Sequence, residues 1–233
     1  MVAIVVERFV PRYTDMLRKP LAPEPARPDG GPRPPDIPLE VQLSALELAR
    51  ATLAVAVEHG DPAMLERAVA SPDADDLHAA VFVTLTEGED LRGCIGTLDP
   101  TRSLREAVVS ATLGAAIGDP RFLPVTAAEL PAIEVGISVL GAPAPLVDIQ
   151  AFMPGVDGVI VEQGGLRALL LPEVATEFAW GTVQMLENVC RKAGLPADAW
   201  RDRRTRLSAF RTVRFGGPAV PVGADRLPAG AVR

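Results

Sequence analysis

Cysteine, histidine and aromatic residues are scarce in this chain of 233 residues, which has two cysteines, two histidines and 4% aromatic residues. Two cysteines do not make a disulfide framework in a chain of this length, so the composition favours a reducing compartment. The histidines, His59 and His78, both precede the first predicted strand, which disfavours a catalytic Cys–His dyad. The cysteines and histidines also lack the spacing of zinc ligands, so we predict no metal site, and the sequence leaves any cofactor open.

Long apolar runs are lacking as well. No stretch approaches the roughly 20 apolar residues that cross a bilayer, and the first residues lack the basic leader of a secretory signal, so we expect a cytoplasmic protein. Lys and Arg total 23 against 30 Asp and Glu, a formal net charge of -7. This balance disfavours broad binding to nucleic acid, because phosphate backbones require clustered positive charge. An arginine run from Arg201 to Arg214 is the local exception, but such a run is more typical of a solvated edge strand than of a nucleic-acid site.

Prolines and glycines divide the chain. They dominate residues 20–38, where neither a helix nor a central strand can continue. We therefore predict an N-terminal extension and proline-rich linker over 1–38, one domain over 39–215, and a flexible C-terminal tail over 216–233.

Helical and alternating apolar patterns intermingle within the predicted domain. They predict an α+β fold with a mainly antiparallel sheet flanked by helices. The predicted helices cover 39–58, 61–70, 103–117 and 172–193, and the predicted strands cover 81–86, 91–98, 132–140, 157–163, 166–171 and 205–215.

The most informative segment is LRGCIG at residues 91–96. Its glycines let the backbone approach another group closely, and the neighbouring Arg92 favours the thiolate form of Cys94. On a strand, Arg92, Cys94 and Gly96 share one face, while Gly93 and Ile95 point the other way. Cys94 is therefore either a nucleophile or ligand-binding thiol, or a small buried apolar side chain that packs where the glycines leave space.

Other polar residues of the chain each have a functional and a structural interpretation. Asp119 and Arg121 follow a predicted helix, where the guanidinium either binds a carboxylate or phosphate or forms an ion pair in a helix-ending turn. Glu134 and Ser138 occupy the polar face of their predicted strand, where they either handle protons beside Cys94 or face water. Asp157 lies in a glycine-rich segment that is typical of a turn.

Several segments together resemble the AMMECR domain family. The LRGCIG segment is similar to the signature hexapeptide of that family, and five further blocks follow in the same order, at 115–124, 133–140, 155–161, 170–175 and 190–195. Two positions depart from the family pattern, Asp157 where a histidine is usual and Glu173 where a glutamine is usual. A mechanism that needs an imidazole at position 157 is not available to this chain.

The resemblance implies an α+β domain of two lobes with a cleft near the hexapeptide, but no established reaction. It also implies a Memo-like protein and a radical S-adenosylmethionine protein as partners. Our leading hypothesis is binding of a small molecule or peptide at that cleft, with or without catalysis. Cys94 would be the reactive thiol, Arg92 would polarise it, and Glu134 or Ser138 would handle protons. The residues predicted to bind the ligand are Gly93, Ile95, Gly96, Asp119, Arg121 and Asp157.

Two alternatives are kept open. The first is a non-catalytic adaptor that docks the Memo-like or radical S-adenosylmethionine partner. The second, which the acidic composition disfavours, is nucleic-acid binding through Arg201–Arg214.

Overall fold

The computed structural model describes residues 31–59 and 77–220. The predicted helix at 61–70, most of the predicted N-terminal extension and the end of the predicted tail lie outside these residues. The described helices are α1 (Leu39–His59), α2 (Leu104–Leu113), α3 (Pro172–Glu177) and α4 (Thr182–Lys192). The described strands are β1 (Ala80–Glu87), β2 (Asp90–Thr97), β3 (Ile133–Leu140), β4 (Ala144–Pro145), β5 (Gly158–Gln163), β6 (Leu166–Leu170), β7 (Arg206–Phe210) and β8 (Thr212–Pro218).

The first sheet has the strand order β2-β1-β3-β8, and all its neighbours are antiparallel. In β1, Val81, Val83 and Leu85 are fully buried and alternate with Phe82 and Thr84. The valines and the leucine face α1 and α2 and form the first core with them, because alternate residues of a strand point to opposite faces. The opposite face of this sheet, which carries Phe82 and Thr84, therefore points away from α1 and α2.

The second sheet has the order β4-β7-β5-β6 and is also antiparallel. Its β5–β6 hairpin turns at Gly164 and Gly165, whose φ angles of 58° and 86° suit a tight hairpin turn. Val159 and Val161 of β5 pack against Met185 of α4 in a second core. A third apolar cluster contains residues of both sheets, namely Ala80, Phe82, Leu140, Ile160, Leu169, Leu171 and Phe210.

The α+β class and the antiparallel pairing are confirmed, whereas four details differ from the sequence-based prediction. The strands form two sheets instead of one. The helix predicted over 172–193 is broken between α3 and α4, and the strand predicted over 205–215 is divided at Arg211 into β7 and β8, which belong to different sheets. β8 continues to Pro218, so residues 216–218 of the predicted flexible tail belong to the first sheet.

Among the described residues, no helix combines the length and apolarity that a membrane-crossing segment requires.

Candidate functional site

Polar side chains gather on the face of the first sheet that points away from α1 and α2. Thr84 pairs with Cys94 on β2, and Ser138 on β3 pairs with Arg214 on β8. Phe82 pairs with both Gly96 and Ser138, which places all these residues on one side, since paired residues of antiparallel strands share a face. We call the side that carries Phe82, Thr84, Cys94, Ser138 and Arg214 the polar face.

Asp119 and Arg121 both form hydrogen bonds with the backbone of Cys94. Because β2 is an edge strand, the outward peptide groups of Cys94 have no neighbouring strand. The Cys94 N–H donates to Asp119 Oδ2 at 2.9 Å, and Arg121 Nη2 donates to the Cys94 carbonyl at 3.3 Å. Arg121 also pairs with the Asp119 carboxylate through Nε at 2.9 Å and Nη2 at 2.6 Å. Burial opposes ionisation of Asp119, but the hydrogen bonds from Arg121 and Cys94 outweigh it and lower the pKa of this carboxyl.

Cys94 is half-buried as a residue, and its thiol has polar neighbours. The Thr84 hydroxyl donates to Sγ at 3.3 Å. Burial raises the pKa of the thiol, and the Thr84 hydrogen bond and the charges of Arg121 and Lys192 only partly offset that rise. The resting group at neutral pH is therefore a thiol.

Arg92 does not polarise this thiol, contrary to the sequence-based prediction. Its guanidinium forms an ion pair with Glu129 at 2.6 Å and donates to the carbonyls of Leu123 and Pro124. Arg121 and Lys192 are the cations that act on Cys94. Arg92 instead fixes the loop that follows Arg121.

Lys192 is a site residue that sequence reasoning missed. It is the last residue of α4 and is half-buried. Burial lowers its pKa to about 8, with Arg121 acting in the same direction and Cys94 against it. Its only signal in the sequence is its place in the family-like block at 190–195, which does not indicate an effect on Cys94 because that effect depends on the fold.

The carboxylates of α3 supply the acidic part of the polar face. Glu173 is 6% exposed and accepts a hydrogen bond from Ser138 Oγ at 3.2 Å. One turn later, burial and the charge of Glu173 raise the pKa of Glu177 to about 7, against the opposing effect of Arg214. The departure from the family pattern at position 173 thus lies against the polar face, through its hydrogen bond with Ser138.

Glu134 and Asp157 lie in different surroundings. Glu134 is half-buried on the polar face and pairs with Thr86, two residues along β1 from Thr84. Asp157 is fully buried, pairs with Arg211 Nε at 3.1 Å and accepts the Met153 N–H at 2.9 Å. The structure therefore gives Asp157 an ion pair instead of a place on the polar face.

The glycines of the LRGCIG segment allow close packing on both faces of β2. A Cβ at Gly93 would overlap the Ala115 carbonyl oxygen in the π-helical turn after α2, Gly114–Gly118. A Cβ at Gly96 would overlap the Phe82 ring on the polar face. Ile95 packs into the first core. Close backbone approach, expected from the sequence, is the role of both glycines.

The arginine run is divided among different environments. Arg204 pairs with Asp202, and Arg206 pairs with Glu162. Arg211 is buried, and Arg214 lies on the polar face. The run therefore does not form one continuous basic surface.

No group of three His, Cys, Asp or Glu side chains within 31–59 and 77–220 is arranged to hold a metal ion.

Comparisons with known proteins show similarity over most of the chain. A protein from Methanothermobacter thermautotrophicus is 47% identical over 150 residues, which cover 62% of this chain and 78% of that protein. A protein from Methanocella arvoryzae is 37% identical over 194 residues, covering 78% and 96% of the two chains. The crystal structure of the uncharacterized protein PH0010 from Pyrococcus horikoshii has a TM-score of 0.71 and 32% identity, covering 79% of this chain and 96% of that one. The family model described as AMMECR1 matches residues 46–215.

Proposed function

This chain belongs to the AMMECR1 family, and we propose that its polar face binds a small electrophilic ligand with the Cys94 thiol as the nucleophile. The contrast between its two cysteines is the observation that carries this proposal. Cys190 is fully buried among Met185, Leu186 and Val189 in the second core. Cys94 is half-buried and is held by hydrogen bonds to its N–H, its carbonyl and its sulfur.

The clamp on Cys94 supports a positioning role. Asp119 and Arg121 fix both peptide groups of this residue, so the sulfur has a defined direction relative to the polar face. A nucleophile fixed in this way loses little conformational entropy when the ligand binds. Asp119 and Arg121 are therefore positioning residues, and Cys94 is the reacting one.

The proposed step begins from a neutral thiol. As sulfur bonds to the electrophilic carbon, the thiol loses its proton and the leaving group departs with its electron pair. We assign proton acceptance to Glu173, which acts electrostatically on Cys94 and is oriented by Ser138. In this proposal Glu173 takes the acid–base role that we predicted for Glu134, and Ser138, which we predicted to handle protons, orients Glu173.

Alkylation by iodoacetamide at pH 7 followed by mass mapping tests the proposal. We expect Cys94 to be modified at least about tenfold faster than Cys190 in the folded protein, because the two thiols differ in access and in polar surroundings. In urea, where both are exposed, the two rates should become similar. Equal, slow modification of both thiols in the folded protein would overturn the nucleophile role.

Docking of a Memo-like or radical S-adenosylmethionine protein is the competing proposal. It predicts that Cys94→Ser leaves both cellular function and co-purification with that partner intact. The thiol proposal predicts that the same variant keeps the fold but loses function.

A further inference from the structure

We propose that residues 31–38 form a strap that restrains a hinge at Gly141 and Arg211, and that release of this strap opens the contact region between the two sheets beside Cys94. We call this contact region the seam. The strap is the described end of the predicted proline-rich linker. It would control access to Cys94, which is a property beyond the proposed reaction of the sulfur.

The strap packs against the domain. Four of its eight residues are prolines, which restrict the backbone and so lower the entropy that docking costs. Pro32 is buried, and Ile37 is 6% exposed in the first core. Gln42 Nε2 of α1 donates to the Ile37 carbonyl at 2.8 Å. Apolar burial and a hydrogen bond therefore hold the strap in place.

The strap reaches the place where the chain passes between the two sheets. The described chain makes this passage twice, at Gly141 after β3 and at Arg211 between β7 and β8. A Cβ at Gly141 would overlap the Arg33 carbonyl oxygen, and it would contact Pro35 Cδ and the Arg211 carbonyl oxygen, both at 3.3 Å. The strap thus fills the space beside the passages, and the close approach requires a glycine at position 141.

Gly141 and Arg211 have the properties of a hinge. The described strands of the two sheets share no backbone ladder, so these two passages are the covalent connections between the sheets within the described chain. The Gly141 N–H donates to the Arg211 carbonyl at 2.8 Å, which keeps the passages together. Hinges consist of a few residues at the ends of elements that absorb backbone rotation. A segment packed against such residues limits that rotation.

The seam begins next to the hinge and extends to Cys94. Leu140, the residue before Gly141, pairs with Ala80, and both belong to the apolar cluster that contains residues of the two sheets. Cys94 packs against this cluster and pairs with Thr84, about 13 Å along β1 from Ala80. A rotation at the hinge displaces the distant part of the seam most. Opening should therefore expose Cys94 more than it exposes the residues beside the hinge.

A hydrogen bond crosses the seam on the side of Cys94. Ser138 Oγ of the first sheet donates at 3.2 Å to Glu173 Oε1 of α3, which follows β6 of the second sheet. The net contribution of such a bond is small, because both groups bind water when the seam is open. The bond alone does not keep the seam closed, so restraint at the hinge matters.

Two reagents with the same reactive group measure how far the seam is open. Iodoacetamide is small, and its N-pyrenyl derivative is bulky. With both, a sulfur–carbon bond forms, iodide leaves with the electrons of the carbon–iodine bond, and the thiol proton passes to the solvent. The measured quantity is the ratio of the pyrenyl rate to the iodoacetamide rate at Cys94, determined by mass mapping of the full chain at pH 7. Because both reagents attack the same thiol, the ratio reports access.

Variants that loosen the strap should raise this ratio. Ile37→Ala removes the apolar anchor, and we expect a rise of about tenfold, because truncation of a buried isoleucine weakens its packing by at least that factor. Gly141→Ala displaces the strap from the other side and should also raise the ratio. Leu53→Ala is the matched control, since Leu53 is fully buried in the same core but lies about 20 Å along α1 from its start. It should lower the stability of the fold and leave the ratio unchanged.

Cys190 distinguishes opening of the seam from global unfolding. It lies in the second core, so its modification in the same samples should stay slow in the strap variants. An unchanged ratio in both strap variants, an equal rise in Leu53→Ala, or an equal acceleration of Cys190 would overturn the strap. If wild-type Cys94 reacts slowly with both reagents and the strap variants still raise the ratio, the nucleophile role fails while the strap stands.

Discussion

At the scale of single residues, Gly93 shows how the signature segment serves packing as well as chemistry. The position that an added Cβ would take at Gly93 is occupied by the Ala115 carbonyl oxygen, a backbone atom that cannot rotate away. Gly93→Ala should therefore destabilise the protein by about 1–3 kcal/mol, the usual cost of overpacking. Gly118→Ala is the control, since nothing lies within 4 Å of the added Cβ. Urea unfolding of both variants checks this, and equal stabilities would contradict the close approach.

The ion pair between Arg92 and Glu129 predicts a defined dependence on pH. Hydrogen bonds from Arg92 and Thr126 lower the pKa of Glu129 from 4.5 to about 2. A carboxyl with a lowered folded-state pKa stabilises the fold above its unfolded-state value, and that contribution is lost as the pH falls. The difference in Tm between the wild type and Glu129→Gln should be constant above pH 5 and should shrink between pH 4.5 and 2. A difference that stays constant over this range would contradict the assignment.

The sequence identified several residues of the candidate site, but it predicted a specific contact only between neighbours along the chain. Cys94 and its glycines were identified because they form one short motif. The partner of Arg92 is Glu129, and the cations that act on Cys94 are Arg121 and Lys192. All three are remote in sequence from the residue on which they act. Local spacing favoured the adjacent Arg92–Cys94 pair, whereas the fold places these two side chains in different interactions.

At the scale of elements, the break between α3 and α4 is the main departure from the expected helix. Apolar residues continue at helical spacing through the break, so periodicity alone predicted one helix over 172–193. The chain instead turns at Ala179, the only described non-glycine residue with a positive φ, at 52°. The stacked rings of Phe178 and Trp180 flank this turn. The break separates α3, which carries Glu173 next to Ser138, from α4, which packs against the second sheet.

The same turn predicts a stabilising substitution. The left-handed conformation costs an L-residue with a Cβ about 1–2 kcal/mol of free energy, whereas glycine adopts it without this cost. Ala179→Gly should therefore stabilise the protein, by up to about 1 kcal/mol after the larger entropy of the unfolded glycine chain is included. Ala51→Gly, at an exposed position inside α1, should instead destabilise it by about 1 kcal/mol. Thermal unfolding of both variants distinguishes these opposite signs, and destabilisation by Ala179→Gly would contradict the conformation of the turn.

At the scale of the whole molecule, the chain passes between the two sheets at Gly141 and at Arg211. The Gly141 N–H donates to the Arg211 carbonyl at 2.8 Å, which joins the two passages. The sequence predicted the hairpins, because a tight turn and alternating strands are local signals. The sequence did not predict that the strands belong to two sheets, because the strand pattern over 205–215 is continuous. The division of that strand at Arg211 depends on contacts of Arg211 with residues distant in sequence. Whether a ligand-sized cleft separates the sheets stays a prediction from the family resemblance.

The ion pair of Asp157 and Arg211 predicts how strongly this junction supports the fold. Both side chains are buried, and removing one leaves the other charge unpaired in the interior, which typically costs 3–5 kcal/mol. Asp157→Ala should therefore lower the free energy of unfolding in urea by about 3–5 kcal/mol. The double variant Asp157→Ala with Arg211→Met should be more stable than Asp157→Ala alone, because no unpaired charge remains. Glu187→Ala breaks an exposed helical pair and should cost about 0.5 kcal/mol or less. If Asp157→Ala and Glu187→Ala had equal costs, the buried pair would not hold the junction, and the apolar cluster between the sheets would have to do so.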